Sequence, residues 1–509
     1  MIIENKKLHI VRLLVPFCLL IAVLLFSFSV EKSTCMGVKV VSAEEYLQMA
    51  IDRTDNLDVD FMFNNLPAAV DNEENIIYIS QKFSEDIDMH SIQGELTSVN
   101  PNFQLAIKED TARPLEIMTT GGNYTLLATA PNGKSIEYKI IFTSLPLINF
   151  SGEIIGVANN NNELYSGEIT FFDPDSPETG SYRNLSSEAQ WNIRGNTTAK
   201  QPKKPWKLSL KKSNSENKNL SLCGLGSDDD WILNPMNLDD LKIREKLMMD
   251  LWNQDELFNV EGHKMSSCEY VEVVMNGEYQ GLYLLQRRLD KKYLNIPDQD
   301  ILLKSRNMPP QSAVTSKTME IVYSPFSETE TMAWLEKYFD GKYISRTNIE
   351  NWAEMTAFLQ VLCSVDNRQT KNIVMHLDID ENNEYIVNYI LWDTDMSLGL
   401  CWDAGYVYDY DEMVFKNIVR FEYSQLSALY PSLSKDISAR WQQLRKDLLS
   451  DENINENIQN LYNTITYSNS FQRDADKWGL NYNGIDNMDQ LNTFMKNRLG
   501  YLDNYYSVD

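Results

Sequence analysis

The chain has 509 residues, of which 43% are hydrophobic and 11% are aromatic. This apolar content can fill the cores of two or more domains, so the composition excludes a disordered chain. The formal net charge of −27 argues against nucleic acid as a partner, because a phosphate backbone binds a basic surface. The chain has only four His, and its six Cys are scattered, which argues against a zinc site.

The N-terminus carries the pattern of an export leader. Lys6, Lys7 and Arg12 precede an uncharged, mostly apolar run over residues 13–30. This run predicts either a signal peptide, cleaved near the Val-Ser-Ala of residues 41–43, or a single membrane anchor. In both cases the basic flank stays inside, so the chain beyond the leader (residues 1–43) is expected outside the cytoplasm.

Two further segments precede the main part of the chain. Residues 44–70 are acidic and helix-prone, and we interpret them as a connector. Residues 71–148 contain short β-prone runs separated by turns, and the Pro-Asn-Gly of residues 131–133 predicts a hairpin. This segment is predicted to be a small all-β, immunoglobulin-like sandwich. It offers no catalytic pattern, and its expected role is that of a spacer.

A lysine-rich strand follows in an otherwise acidic chain. Apolar and polar residues alternate over residues 206–211, which predicts a half-buried strand. Six Lys lie between residues 200 and 212, and two of them, Lys203 and Lys204, stand at the entrance of the strand. Together with the Arg-Gly-Asn-Thr-Thr turn that begins at Arg194, they form a candidate anion site for phosphates. A solvated strand face is the alternative interpretation.

Hairpins and helices make up the rest of the chain. Helical spacing of apolar residues predicts a helix over residues 237–252, with Asn237 or Asp239 as its cap. The Asn-Gly pair at 276–277 predicts a tight hairpin, and a helix is predicted over residues 352–363. The C-terminal pattern predicts helices over residues 421–429, 435–449, 454–467 and 488–505.

Four polar side chains flank a second predicted hairpin, whose turn is the acidic segment 378–384. Asp366 and Asn372 precede its first strand, and Asp393 and Asp395 follow its second. A hairpin brings the start of one strand beside the end of the other, so these side chains are expected to converge. Carboxylate and amide oxygens suit Mg²⁺ or Mn²⁺, and phosphoryl transfer uses them with a Lys on the phosphates. Capping and turn roles are the alternative.

A series of sequence blocks follows in a defined order between residues 190 and 500. The blocks are Arg194-Gly195-Asn-Thr-Thr, Lys203-Lys204-Pro-Trp-Lys-Leu, Asp230-Trp-Ile-Leu, Asp239…Arg244…Leu247, Asn276-Gly-Glu-Tyr-Gln-Gly-Leu-Tyr-Leu-Leu285, Asp366…Asn372, Trp392-Asp-Thr-Asp-Met-Ser-Leu-Gly399 and Asn497-Arg498-Leu. In their order and spacing, these blocks resemble the spore coat protein H (CotH) kinase family. The predicted sandwich lies outside the resemblance.

The resemblance implies an α+β fold, in which a remote protein-kinase-like core with a helical C-terminal lobe spans residues 150–509. It implies an atypical kinase that uses ATP with Mg²⁺ or Mn²⁺ and phosphorylates Ser or Thr. The implied substrates are exported proteins such as spore coat components, and a basic partner matches the acidic chain. The implied location is extracytoplasmic: secreted, or on a bacterial cell surface or spore coat, or anchored by residues 13–30.

Positions of this chain that match the family blocks take on implied roles. Asp366 falls on the catalytic or metal-binding Asp of the family, and Asp393 falls on a metal-binding Asp. Asn372 and Asp395 are implied supporting ligands of the metal. Three basic residues are candidates for contacts with the nucleotide phosphates, namely Lys204, its neighbour Lys203, and Arg194.

One departure from the family pattern keeps other functions open. Arg287 occupies the position where the family commonly has Glu, and the nearest acid is Asp290. This departure favours a second hypothesis, in which a catalytically weak or inactive CotH-like protein has a structural or adhesive role at the surface. A third hypothesis takes Asp393-Thr-Asp395 as the Asp-x-Asp of a metal-dependent glycosyltransferase, although no doubly wound α/β pattern precedes it.

Overall fold

A computed structural model describes most of the chain and has the mixed α+β composition that the sequence predicts. The described residues form an N-terminal two-sheet unit, a closed β-barrel, and helices packed around a four-stranded sheet. They are residues 34–195, 197–260, 262–306, 315, 318–363, 367, 372–400, 409–411, 420–480 and 487–507. The predicted leader run, 13–30, lies outside them. Among the helices within these ranges, none has the length and apolar character needed to span a bilayer.

Short strands build the N-terminal unit, and their apolar side chains share one core. The strands are β1 (Thr34–Cys35), β2 (Val38–Val41), β3 (Asp52–Arg53), β4 (Phe61–Phe63), β5 (Leu66–Pro67), β6 (Ala69–Asp71), β7 (Ile76–Ser80), β8 (Leu96–Ser98), β9 (Gln104–Lys108), β10 (Asn123–Thr129) and β11 (Lys134–Thr143). The helices are α1 (Ala43–Met49) and α2 (Pro114–Thr119). One sheet has the order β1-β2-β9-β10-β11-β7-β6, with β3 also on β11, and the other has the order β5-β4-β8.

The N-terminal unit differs in detail from the predicted sandwich of residues 71–148. Residues 44–70, predicted as a connector, contain most of α1 and all of β3 to β5, and Phe61 and Phe63 of β4 lie in the core. Strand β7 pairs with β11 in parallel, an arrangement that an antiparallel immunoglobulin-like sandwich does not predict. The hairpin predicted at residues 131–133 is confirmed, because it joins β10 to β11.

A closed barrel forms the second unit, with the strand order β12-β13-β14-β15-β18-β20-β19. Its strands are β12 (Leu147–Val157), β13 (Glu163–Ser176), β14 (Ser181–Ile193), β15 (Trp206–Lys211), β18 (Asp230–Asn234), β19 (Cys268–Met275) and β20 (Glu278–Arg287), and a separate pair is β16 (Leu220–Ser221) with β17 (Ser227–Asp228). Parallel pairing of β12 with β19 closes the barrel, and Trp191, Trp231 and Tyr283 lie in its buried core.

Two strand predictions in the barrel are confirmed. Strand β15 alternates buried and half-buried side chains, as the spacing over residues 206–211 predicts. Strands β19 and β20 form a hairpin around Asn276 and Gly277. These two residues have φ angles of 51° and 76°, which are the positive values that a type I′ turn requires.

The C-terminal region packs helices around a sheet of order β22-β21-β23-β24. The strands are β21 (Ile301–Ser305), β22 (Met319–Tyr323), β23 (Ile373–Ile379) and β24 (Tyr385–Leu391). The helices are α3 (Arg244–Gln254), α4 (Lys291–Leu294), α5 (Glu328–Phe339), α6 (Ile349–Leu362), α7 (Arg420–Leu429), α8 (Leu433–Leu444), α9 (Asp451–Thr466), α10 (Ser470–Trp478) and α11 (Met488–Tyr506). Apolar residues of both sets share one core.

Helix α6 is the centre of this region, and it is buried from Asn351 to its C-terminal end. The Asn351 side chain accepts a hydrogen bond from the Tyr389 amide (2.7 Å) and donates to the Tyr389 carbonyl (3.1 Å), which fixes β24 on the helix. Arg498 of α11 donates to the Gln360 carbonyl (2.8 Å) near the end of α6. The second predicted hairpin and the last helix are therefore both held by α6.

The predicted C-terminal helices are confirmed, but one more is present. Helix α10 is nine residues long, and its apolar stripe is limited to Phe471, Ala475 and Trp478, while its polar side chains include buried ones that form ion pairs. The helix predicted over residues 237–252 begins only at Arg244. The Asp239 carboxylate accepts the amides of Ile243 (2.8 Å) and Arg244 (2.7 Å), so Asp239 does satisfy amides at the N-terminal end of α3.

Candidate functional site

The base of the second hairpin brings together the two ends predicted to converge. Strands β23 and β24 pair from Ile373 with Leu391 to Ile379 with Tyr385. Just beyond this pairing, the Trp392 amide donates to the Asn372 carbonyl at 3.2 Å. The hairpin therefore holds Asn372, before its first strand, beside the segment that leads to the predicted metal-binding acids.

The structure describes three of the four residues that the sequence places around this base. Asp366 lies outside the described residues. Asn372 is buried, whereas Asp393 and Asp395 are half-buried. Asn372 and Asp393 both have a φ of 59°, a left-handed conformation that Asn and Asp tolerate better than most residues. The side-chain amide of Asn367 donates to the carbonyls of Asn372 (3.2 Å) and Trp392 (2.8 Å) and ties the base together.

Three charged side chains from other parts of the fold interact with Asp393: Arg194, Glu245 and Lys304. Arg194 follows β14 of the barrel, Glu245 lies in the first turn of α3, and Lys304 lies on β21. We call these four residues the interlobe cluster, because they join the barrel to the C-terminal sheet. Sequence analysis identified Arg194 and Asp393 and missed the other two.

Glu245 is held against the outer surface of the barrel by two amide side chains. Asn234 of β18 donates to one oxygen of its carboxylate (2.5 Å), and Gln286 of β20 donates to the other (3.0 Å). Burial and then the charge of Asp393 raise the pKa of Glu245 to about 8, against an ordinary value of 4.5. Glu245 therefore holds a proton in the folded protein over part of the neutral pH range.

Lys304 reaches the cluster from the sheet that also carries the hairpin. Strand β21 lies between β22 and β23, and Lys304 is opposite Val374 of β23. Its amine lies 2.7 Å from the centroid of the Trp392 ring, which is a cation–π arrangement. Burial lowers the pKa of Lys304 well below its ordinary value, and the neighbouring Arg194 lowers it further. Lys304 is half-buried, and an anion would stabilise a partly desolvated cation of this kind.

Arg194 is the second cation of the cluster and comes from the loop between β14 and β15. Its backbone amide donates to the Pro205 carbonyl at 3.0 Å, which closes the loop just before β15. Burial lowers the pKa of its guanidinium, while Asp393 and Glu245 raise it. The cluster thus sets two desolvated cations beside two acids, one of which, Glu245, holds its proton.

The lysines predicted to bind phosphate have other partners. The buried Lys203 amine donates to the Asp474 carboxylate (2.6 Å), to the Pro235 carbonyl (3.2 Å) and to the Leu282 carbonyl. Burial lowers the pKa of Lys203 to about 8. The Lys204 amine donates to the Ala199 carbonyl at 3.0 Å. Their assignment to the nucleotide stays a prediction.

Several other lysines of this stretch fit the alternative of a solvated strand face. Lys207 pairs with Asp230 at 3.3 Å, and Lys212 pairs with Glu216 at 3.1 Å. Lys212 is exposed and Lys207 is half-buried, and ion pairs that water reaches in this way contribute little to stability. Three of the six lysines between residues 200 and 212 are therefore paired with acids, namely Lys203, Lys207 and Lys212.

Arg287, the departure from the family pattern, points away from the interlobe cluster. Its guanidinium donates to the Asp228 carboxylate (2.8 Å) and to the Leu225 carbonyl (2.8 Å). The preceding residue, Gln286, points the other way and contacts Glu245. Asp290 caps α4 by accepting the Tyr293 amide at 3.0 Å. Arg287 therefore does not bring a positive charge into the cluster.

Replacing Arg287 by Glu is expected to destabilise the protein without adding an acid to the cluster. The new carboxylate would face the buried Asp228, and breaking a buried ion pair costs about 3–5 kcal/mol. Denaturant unfolding would measure this loss. Arg288→Glu is a matched control, because Arg288 is exposed and pairs with Asp230 at 3.0 Å, so its loss should cost about 1 kcal/mol or less. Equal losses in both variants would contradict the expectation.

A model of the CotH kinase protein family matches residues 192–502 of the chain. The chain belongs to the CotH kinase family. The matched CotH region includes the whole interlobe cluster, the second hairpin and helices α3 to α10, and it begins within β14. The N-terminal unit and the first strands of the barrel lie outside it, and no curated protein sequence matches this CotH protein.

Proposed function

We propose that this protein is a kinase that transfers the γ-phosphoryl group of ATP to Ser or Thr side chains of exported proteins. The observation that carries the proposal is the interlobe cluster, where Asp393 interacts with two desolvated cations, Arg194 and Lys304, inside the CotH region. Phosphoryl transfer requires little beyond position and charge, and cations beside a metal-binding carboxylate supply both.

The residues of the site fit a nucleotide and a divalent cation. Within the described ranges, no group of three or more His, Cys, Asp or Glu side chains is placed to hold a metal ion. Mg²⁺ that is bound together with ATP is usually held by one or two carboxylates, the phosphates and water. Asp393 would supply a carboxylate, with Asn372 and Asp395 as the neighbouring oxygen donors.

The cations of the cluster would bind the phosphates. The removal of Arg194 and Lys304 from water is unfavourable for their charges, and an anionic ligand would offset that cost. They come from the barrel and from the C-terminal sheet, so a ligand that binds both would hold these two parts of the fold together. A metal ion, when bound with ATP, neutralises phosphate charge in the transition state.

Asp366 keeps its predicted role as the residue that orients the acceptor hydroxyl. The substrate proposal, an exported protein rich in Ser and Thr, rests on the family membership. A basic partner would be favoured electrostatically by the net charge of −27. The extracytoplasmic location, secreted or anchored by the leader, rests on the sequence of residues 1–43.

A structural or adhesive role without catalysis is the second candidate. One observation favours it: the Lys203 amine, which sequence analysis assigned to the phosphates, is engaged by Asp474 inside the protein. The two functions differ in nucleotide binding, since a scaffold has no need of ATP.

Calorimetric titration of the purified protein with ATP, with and without MnCl₂ or MgCl₂, tests the proposal. We expect binding that requires the metal, with a Kd between about 1 μM and 1 mM, the usual range of substrate affinities. Transfer of radioactive phosphate from ATP to a Ser- and Lys-rich peptide would identify the kinase activity itself. An absence of ATP binding with either metal would leave the structural role as the better account.

A further inference from the structure

Helix α10 inserts a buried carboxylate into the barrel. Asp474, in the middle of the helix, is 2% exposed and accepts hydrogen bonds from the Lys203 amine (2.6 Å) and the Leu282 amide (2.9 Å). The Lys242 amine lies 3.9 Å away. Lys203 is itself 3% exposed, so this ion pair lies inside the protein. It joins residues that are 271 positions apart in the chain.

The barrel has a glycine where α10 approaches it. Gly281 of β20 has a φ of 94°, and a Cβ atom placed there would lie 2.2 Å from the Asp474 carboxylate. Any other residue would therefore displace Asp474 and adopt an unfavourable backbone conformation. The contact between α10 and β20 is close enough for Asp474 to accept the Leu282 amide next to this glycine.

The Lys203 amine has all three of its donors satisfied within the protein. They go to Asp474 and to the carbonyls of Pro235 and Leu282. An ammonium group has three N–H donors and no acceptor, so this set uses it completely. A buried ion pair adds little net stability but fixes geometry, because either partner alone is strongly unfavourable. The pair therefore locates Lys203 relative to α10.

The backbone carbonyls of residues 203–205, the segment that Lys203 begins, accept hydrogen bonds from three neighbouring residues, the last of which is Arg194. The Lys203 carbonyl accepts the Asn237 side-chain amide (2.8 Å), and the Lys204 carbonyl accepts the Tyr283 hydroxyl (3.1 Å). The Pro205 carbonyl accepts the backbone amide of Arg194 (3.0 Å). We call residues 203–205 the return segment; it connects the Lys203 ion pair to Arg194 of the interlobe cluster.

We propose that Asp474 is a positioning residue for Arg194, and that it acts through Lys203 and the return segment. This inference rests on the proposed function, because it assigns Arg194 to the nucleotide. Asp474 touches neither nucleotide nor metal in this account. The C-terminal helix α10, which the sequence analysis did not predict, therefore sets the affinity of the site for ATP.

Two buried ion pairs that hold α10 on the barrel provide a matched pair of variants. Asp474→Asn removes the charge that holds Lys203 and keeps the size of the side chain. Glu272→Gln removes an equally buried charge that pairs with Arg473 at 2.7 Å and ties the same helix to β19. Both variants lose a buried ion pair of α10, but only the first acts on the return segment. Thermal unfolding of both variants would show that their losses of stability are comparable.

Hydrogen–deuterium exchange of the loop between β14 and β15 measures the positioning directly and needs no nucleotide. In Asp474→Asn we expect exchange of the Arg194 amide to rise by about tenfold, and no such rise in Glu272→Gln. Titration with ATP and MnCl₂ well below the unfolding temperature should show a Kd about tenfold higher in Asp474→Asn and unchanged in Glu272→Gln. Lys203→Met should reproduce the effect of Asp474→Asn on both readouts.

Equal changes in Asp474→Asn and Glu272→Gln would overturn the proposal, because they would mean that the Lys203 ion pair only stabilises the fold. Unchanged exchange of the Arg194 amide in Asp474→Asn would overturn it as well. If the unmodified protein binds no ATP, the proposed function fails. In that case the exchange experiment still decides whether Asp474 positions Arg194, so the two failures are distinguishable.

Discussion

Replacement of Asp393 by Asn is expected to abolish metal-dependent ATP binding and phosphoryl transfer. Asp393 interacts with both cations of the interlobe cluster, and it follows the hairpin base where Asn372 lies. Asn keeps the size of the side chain and removes the charge that a divalent cation requires. We expect at least a ~100-fold loss of transfer, as is found when a preorganised electrostatic group is removed. Transfer of radioactive phosphate, with calorimetric titration of ATP and MnCl₂, measures both effects.

Asp380→Asn is the control for this experiment. Asp380 lies at the opposite end of the same hairpin, where its carboxylate accepts the amides of Asn382 (2.9 Å) and Glu384 (2.8 Å). Asp380→Asn changes the net charge by the same amount as Asp393→Asn, but Asp380 lies at the turn of the hairpin. We expect ATP binding in Asp380→Asn to match that of the unmodified protein. Retained metal-dependent binding in Asp393→Asn would remove Asp393 from the site and with it the main support for the kinase proposal.

Local patterns in the sequence predicted the elements that carry Asp393. The hairpin of β23 and β24 and the Asn276-Gly277 hairpin each depend on a turn and on the strands beside it, and such signals lie within about 20 residues. Helix α6, which precedes the second hairpin, was also predicted from a local pattern. The position of Asn372 beside Trp392 then follows from strand pairing alone.

Glu245 and Lys304 could not be found in this way, because their roles depend on packing between distant parts of the chain. Glu245 is an ordinary residue for the first turn of a helix, and Lys304 follows the apolar run Ile301–Leu303 near the end of a strand. Only the fold brings them to Asp393. The one feature of Lys304 that stands out is its charge, because the strand that carries it, β21, pairs with a neighbouring strand on each side.

Lys203 shows what a local charge pattern leaves out. The lysine-rich stretch suggested an anion site, and the sequence near it contains no acid that marks Lys203 as an internal partner. That acid is Asp474, on the short helix α10, 271 positions further along the chain. Buried ion pairs between distant segments cannot be found from local spacing, which explains the assignment of Lys203. Helix α10 was missed for another reason, because its apolar stripe has only three residues.

Replacement of Glu245 by Gln is expected to raise stability in a way that depends on pH. In the folded protein the pKa of Glu245 is raised to about 8, while in the unfolded chain it has its ordinary value of 4.5. Between these values the unfolded chain loses the proton that the folded protein keeps. The contribution of Glu245 to stability is therefore fully present below pH 4.5 and is lost as the pH rises towards 8.

Gln cannot ionise, so the variant does not have this loss. Relative to the unmodified protein, its stability should change little at pH 4.5 and should rise by about 2–4 kcal/mol at pH 8. The gain is reduced by one hydrogen bond, because the amide of Gln would face the amide donors of Asn234 or Gln286. Urea unfolding at pH 5 and at pH 8 measures the difference. The exposed Glu153, replaced by Gln, is the control for the loss of one carboxylate.

Glu245→Gln should also bind ATP more weakly or transfer phosphate more slowly. A buried acid with a strongly raised pKa is typical of a functional site. Asp393 is the second cause of the raised pKa of Glu245, so the pH dependence should become smaller in Asp393→Asn. A gain in stability for Glu245→Gln that is equal at pH 5 and pH 8 would contradict the raised pKa. It would mean that Glu245 is ionised in the folded protein and compensated by the cations beside it.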